Sequence, residues 1–230
     1  MKFVASMALA AAVSSAASAT FVEYVVTKTS TTNSGTALDV YTVWARFNGA
    51  TDTVLNAFNF NRTSAAPASN PFYHRDNSSY NGGVLSKTYG TWAPGLTGSA
   101  TLNRPFDSYL TIGGLPTGLN TTNADPSWPA AGGGWSRADI PSGNNIGWFN
   151  SSPPNLQGRV GATGNTATDV RLGQFVVGAG VDGGTWNLKI GYNSGVSGAP
   201  VQFAETTFSL PAPGAIALLG LAGLAGRRRR

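Results

Sequence analysis

Trp186, Leu188, Ile190 and Tyr192 stand at every second position, with Thr185, Asn187, Lys189 and Gly191 between them. Successive side chains of an extended chain leave on opposite sides, so this spacing sends four large apolar groups to one face and the polar ones to the other. Asp182-Gly183-Gly184 just before it is turn chemistry. The segment therefore reads as a strand covering a core. Residues 40–47 are apolar on both faces, Val40 and Trp44 opposing Tyr41, Val43 and Phe47, which is the pattern of a central strand. Residues 48–52, Asn-Gly-Ala-Thr-Asp, then turn the chain into residues 53–60, where Val54, Phe58 and Phe60 share a face. Residues 21–27, 84–89, 106–112, 171–177 and 201–210 are further strand candidates, and no segment carries a sustained helical period.

Composition agrees with this reading. The 30 Gly and 13 Pro are poor helix residues, while the abundant Thr and Val fit a pleated surface. A hydrophobic content of 41%, with 10% aromatic residues, is enough for a packed core. The expected fold is all-β, an antiparallel β-sandwich or jelly roll with long loops. Residues 116–147, rich in Gly, Pro, Asn and Ser, form the longest loop region. No linker divides residues 20–210, so they are expected to form a single β-rich domain.

There is no cysteine, which excludes disulfides, thiolate nucleophiles and Cys-ligated metal clusters. The formal charge of +5 misleads. Lys2 and the four terminal arginines make up the excess, and the remaining basic residues balance the ten Asp and Glu. A neutral body has no basic patch for phosphates, so nucleic acid is not an expected partner.

The two ends carry their own signals. Residues 1–19 contain Lys2, an apolar run and small residues ending in Ala17-Ser18-Ala19, the three-part layout of a secretory signal helix. Signal peptidase would cleave after Ala19, leaving Thr20 first. Residues 211–230 begin with Pro211-Ala212-Pro213-Gly214, continue through an apolar stretch to Gly226, and end in Arg227, Arg228, Arg229 and Arg230. As a helix, the stretch from Gly214 would be about 20 Å long, short of an apolar bilayer core unless the arginines snorkel. An arginine cluster holds its end of such a segment in the cytoplasm, which places the body outside, in agreement with the signal.

This tail resembles the PEP-CTERM sorting signal of bacterial surface proteins, in its Pro-Ala-Pro-Gly form with Ala212 where the commonest form has Glu. The resemblance implies processing by a membrane exosortase. It implies attachment to the membrane through the tail before processing, and delivery to the cell envelope or to extracellular polysaccharide. It speaks to address and leaves the activity of the body open.

Candidate chemistry in the body is sparse. His74 is the only histidine, so any serine triad or histidine relay must pass through it. Glu23 and Glu205 are the only glutamates, one in each terminal strand of the body; pairing of those strands would bring them together as hydrolases require. Asp76, Asn77, Ser78, Ser79 and Asn81 offer oxygen donors for a structural calcium ion but lack the Gly and terminal Glu of an EF-hand loop. No other cofactor is expected. Trp92, Trp128, Trp135 and Trp148 fall in apparent loops, whereas Trp44 and Trp186 look like core. Exposed loop tryptophans stack on sugar rings, but long loops also need aromatic anchors, and buried rings would supply them. The expected function is that of an exported, noncatalytic structural or matrix-associated component. Carbohydrate binding through the loop tryptophans is the alternative, and a glycoside hydrolase the third reading.

Overall fold

In a computed structural model the chain is described over residues 19–75, 84–94, 105–115, 120–124, 139–140 and 146–210. The signal and tail segments lie outside these residues, apart from Ala19, as do the calcium candidates at 76–81 and the two tryptophans Trp128 and Trp135. Among these residues the only regular elements are strands and one 3-10 turn at Pro153–Asn155.

Strand β1 (Phe21–Asn33) turns back at Ser34-Gly35 into β2 (Thr36–Phe47). Both turn residues have positive φ, 48° and 83°, the conformation that matches a two-residue hairpin to the twist of its strands. β2 pairs on its other side with β7 (Asp169–Gly178), which in turn pairs with the short β4 (Tyr109–Leu110), giving the order β1-β2-β7-β4. The second sheet is β5-β6-β3-β8-β9, with β3 at Thr53–Arg62, β5 at Thr122–Ala124, β6 at Trp148–Asn150, β8 at Gly184–Asn193 and β9 at Gln202–Leu210. Every pairing in both sheets is antiparallel.

The two sheets face each other across one apolar core, which makes the domain a β-sandwich. β2 and β7 contribute Tyr41, Val43, Phe47, Leu172 and Phe175, and the opposite sheet contributes Val54, Phe60, Trp148, Trp186, Ile190 and Phe208. Phe60 is the hub of an aromatic cluster, its ring stacked at 4.8 Å on Trp186 and edge-on at 5.4 Å to Trp148. The alternation expected in β8 holds: Trp186, Leu188, Ile190 and Tyr192 are buried, and Lys189 and Asn187 face out.

β2 is an interior strand, as its two apolar faces foretold, but the outer face is apolar for a separate reason. Leu38 and Val40 join Val176 in a small second cluster, covered by Tyr73, Leu85 and Phe106 from the loops. Trp44 is not core. It lies half-buried on the outer face, with the Arg171 guanidinium 4.8 Å over its ring and its Nε1 donating to Thr27 Oγ1.

Other expectations need correction. Residues 48–52 do not close a hairpin, because β2 and β3 belong to different sheets; they form a corner that the buried Asp52 holds by accepting from the Gly49 amide at 3.0 Å. In β3 the pairing shifts register between Val54 and Asn56 and again between Phe58 and Asn61, so the buried set is Val54, Ala57 and Phe60, and Phe58 faces outward. Residues 84–89 form no strand; Ser86 makes only a single bridge to His74. β5 and β6 are strands the sequence reading did not contain.

Candidate functional site

His74 sits on a segment that runs along the edge of β7, where Tyr73 N donates to Val176 O at 2.8 Å and Phe72 bridges to Val177. Its own backbone exchanges two hydrogen bonds with Ser86, at 2.7 and 2.8 Å. The imidazole is enclosed. Nδ1 lies 3.3 Å from Oδ1 of Asp107, the side chains being 1% and 0% exposed, and the ring meets Trp92 edge-on at 4.8 Å. Gly90 closes over it so tightly that a Cβ there would stand 2.3 Å from the His74 Cβ. The same Asp107 oxygen accepts from the Arg75 amide. This is a buried cross-link between three loop segments, placed where a substrate has no access.

Trp92 and Trp148 do not offer stacking surfaces. Both are buried, at 0% and 1% exposure, and both spend their indole N–H inside the protein: Trp92 donates to Asp139 O at 3.1 Å, Trp148 to Thr111 O at 2.9 Å. The reading of these two as carbohydrate contacts is therefore corrected. They anchor loops to the sandwich, because a buried ring removes a large apolar surface from water while its N–H satisfies a loop carbonyl.

A polar knot lies beside Trp148. Gln157 Nε2 donates to Ile112 O and Asn120 Oδ1, both at 2.9 Å, and its Oε1 accepts from the Thr121 amide. Thr121 Oγ1 donates to Asn150 Oδ1 at 2.6 Å. The knot satisfies backbone groups that β5 and β6, at three residues each, leave outside a ladder. Sequence reasoning missed it because its members are far apart in the chain, from Ile112 to Gln157.

Strand pairing does not bring the two glutamates together. β1 is the edge of one sheet and β9 the edge of the other, so the terminal strands do not pair. Glu23 accepts from Arg46 Nη1 at 3.0 Å, and the same guanidinium grips Asp169 through Nε at 2.8 Å and Nη2 at 3.3 Å. Glu205 accepts from Asn187 Nδ2 at 2.8 Å and from Asn59, with Lys189 Nζ at 3.7 Å. The Asn187 hydrogen bond is the chief reason that the Glu205 carboxyl is held below its usual range, against an opposing effect of burial. A general acid needs the opposite shift. Among the described residues no three of His, Asp and Glu gather as metal donors.

In comparisons with known proteins, no family model matches the chain, and no curated protein or solved structure matches it.

Proposed function

We propose that the chain is an exported, noncatalytic structural component of a bacterial cell envelope or its extracellular polysaccharide, sorted by the signal at one end and the tail at the other. One observation carries the noncatalytic part. Among the described residues, the histidine and both glutamates, the groups that could have served chemistry, are already engaged in holding the fold together. His74 and Asp107 cross-link buried loops, Glu23 caps the Arg46–Asp169 pair, and Glu205 ties β9 to β8 and to Asn59. Catalysis calls for such groups to be poised in a cleft with shifted proton affinities.

The proposed sorting rests on the residues of the two ends. Intact-mass analysis of the surface-extracted protein should give a chain that starts at Thr20 and ends near Pro213. A mature product that retains Met1 or Arg230 overturns the sorting. The noncatalytic reading is tested separately, by incubating the full chain with polysaccharides and assaying reducing ends. Turnover that disappears in Glu23→Gln or Glu205→Gln overturns it.

A further inference from the structure

One row of outward-facing residues crosses the second sheet from edge to edge. Asn123 pairs with Phe149, Phe149 with Asn56, Asn56 with Gly191, and Gly191 with Phe203, one residue from each of the five strands. In the next row Phe58 pairs with Lys189 and Lys189 with Glu205. Neighbouring strands lie about 4.8 Å apart, so Phe149 and Phe203 stand about 14 Å from each other with the low residues Asn56 and Gly191 between them. The result is a groove of about 520 Å³ running across the strands, lined among others by Asn56, Ala57, Phe58, Phe149, Pro153 and Phe203.

Gly191 lets the Asn56 side chain and the Phe203 ring close over its backbone and build the floor. A Cβ at that position would stand 2.4 Å from Asn56 Oδ1 and 3.2 Å from the Phe203 ring. The Gly191 amide donates to Asn56 Oδ1 at 3.0 Å, which fixes the side chain of this groove-lining residue and leaves its NH₂ group as a donor. Phe203 is 57% exposed and Phe58 meets it edge-on at 6.0 Å, so the two rings form a contiguous apolar patch on this face. Lys189 Nζ lies 5.6 and 5.5 Å over these two rings and is balanced by Glu205.

The chemistry of the face selects its ligand. Phenylalanine rings offer flat apolar surface, and a fixed amide offers a directed hydrogen bond; a sugar ring presents C–H faces to the first and hydroxyls to the second. The two rows carry one lysine and one glutamate, facing each other, so an acidic polymer finds no uncompensated cation. An extended peptide would bind by adding a strand to a sheet edge, whereas this groove runs across the strands and presents no such edge along its length. We infer that the groove binds a neutral polysaccharide chain laid across β6, β3, β8 and β9, with Phe149 and Phe203 stacking on successive parts of it and Asn56 donating to a hydroxyl. The inference rests on the noncatalytic reading only in that the sugar is held and not cleaved.

The test is affinity electrophoresis and titration calorimetry of the full chain with three neutral polymers, a β-glucan, a mannan and dextran, and with polygalacturonate as the acidic control. Saturable binding to at least one neutral polymer is expected. Phe203→Ala and Phe149→Ala should each weaken it about tenfold or more, as loss of a central aromatic contact does. Val22→Ala, which trims an exposed apolar side chain on the edge of the other sheet, should leave it unchanged. Melting temperatures of all variants verify folding. Absence of binding to all three neutral polymers overturns the inference, as does binding to polygalacturonate alone or binding that both phenylalanine variants retain. Self-association that Phe203→Ala abolishes, in place of sugar binding, assigns the face to a second copy of the chain and overturns it too. Any of these leaves the noncatalytic reading intact, whereas release of reducing ends from a bound polymer overturns that reading and keeps the groove.

Discussion

Replacing Phe60 by Ala should cost the sandwich about 3–5 kcal/mol, in the upper part of the range for a large-to-small change in a core. The ring is fully buried, and its neighbours come from both sheets: Trp186 at 4.8 Å, Trp148 at 5.4 Å, Phe175 at 6.0 Å and Phe208 at 6.3 Å. Those four side chains stand on β8, β6, β7 and β9, each strand fixed by its own ladder of hydrogen bonds. None can move far toward the vacated space without breaking a ladder, so the cavity should persist and add its cost to the lost transfer free energy. For a domain of this size each kcal/mol corresponds to roughly 2–4 °C, and the midpoint should fall by roughly 6–20 °C. Urea denaturation followed by tryptophan fluorescence measures the effect, with the slope unchanged if the compactness of both states is preserved. Phe203→Ala, on the exposed face, should change stability by no more than about 1 kcal/mol. A loss below about 1 kcal/mol for Phe60→Ala would refute the argument that this ring joins the two sheets.

Acid should destabilise the fold through Asp39 and Asp169. Burial pushes the Asp39 carboxyl up, but hydrogen bonds from Lys28, Gly180 and Ser30 outweigh it and hold the group below its usual range; for Asp169 the Arg46 hydrogen bond does so first. A depressed folded-state pKa stabilises above the unfolded value of about 3.9 and is lost as pH falls through the folded one, so melting temperatures should drop below about pH 4, and Asp39→Asn should flatten that limb. Gly113→Ala should destabilise by about 1 kcal/mol or more in chemical denaturation, because φ is +66° and the new Cβ would lie 2.0 Å from the Gln157 carbonyl oxygen. Trp148→Phe preserves most of the ring packing but withdraws the hydrogen bond to the buried Thr111 carbonyl, and the same assay should show a loss of about 1–3 kcal/mol.

How much of this was legible follows from how far each signal depends on distant residues. β8 could be read outright, because one of its faces is apolar and meets the core while the other carries only Thr185, Asn187, Lys189, Gly191 and Asn193. The strand character of β2 was equally plain, yet its outer apolar residues have two destinations, Val40 under loop side chains and Trp44 under Arg171, and no local pattern separates them. β5 and β6 are three residues each, too short for any period to show. Trp92 does lie in a loop, whereas Trp148 opens β6; whether such a ring faces solvent or core depends on how the chain around it folds over the sheets. The glutamates were misjudged for a topological reason: the chain's terminal strands end in different sheets.

β3 is the most informative failure. Strict alternation would put Val54, Asn56, Phe58 and Phe60 on the core face and Leu55, Ala57 and Asn59 outside. The two register shifts change this set to Val54, Ala57 and Phe60, and Asn59 takes φ of 54° within the second shift. Both residues expelled from the core face, Asn56 and Phe58, line the cross-strand groove. A bulge costs ladder hydrogen bonds, and a left-handed backbone at a residue other than Gly costs about 1 kcal/mol or more. A strand that needed only to fill the core would reach that end more simply with alternating apolar residues and no bulge. Sequence-level rules tend to fail where a structure departs from its local optimum for the sake of a site. The failure at β3 thus points to the same face of the sheet as the exposed Phe203 ring and the missing side chain at Gly191, by an argument that uses neither of them.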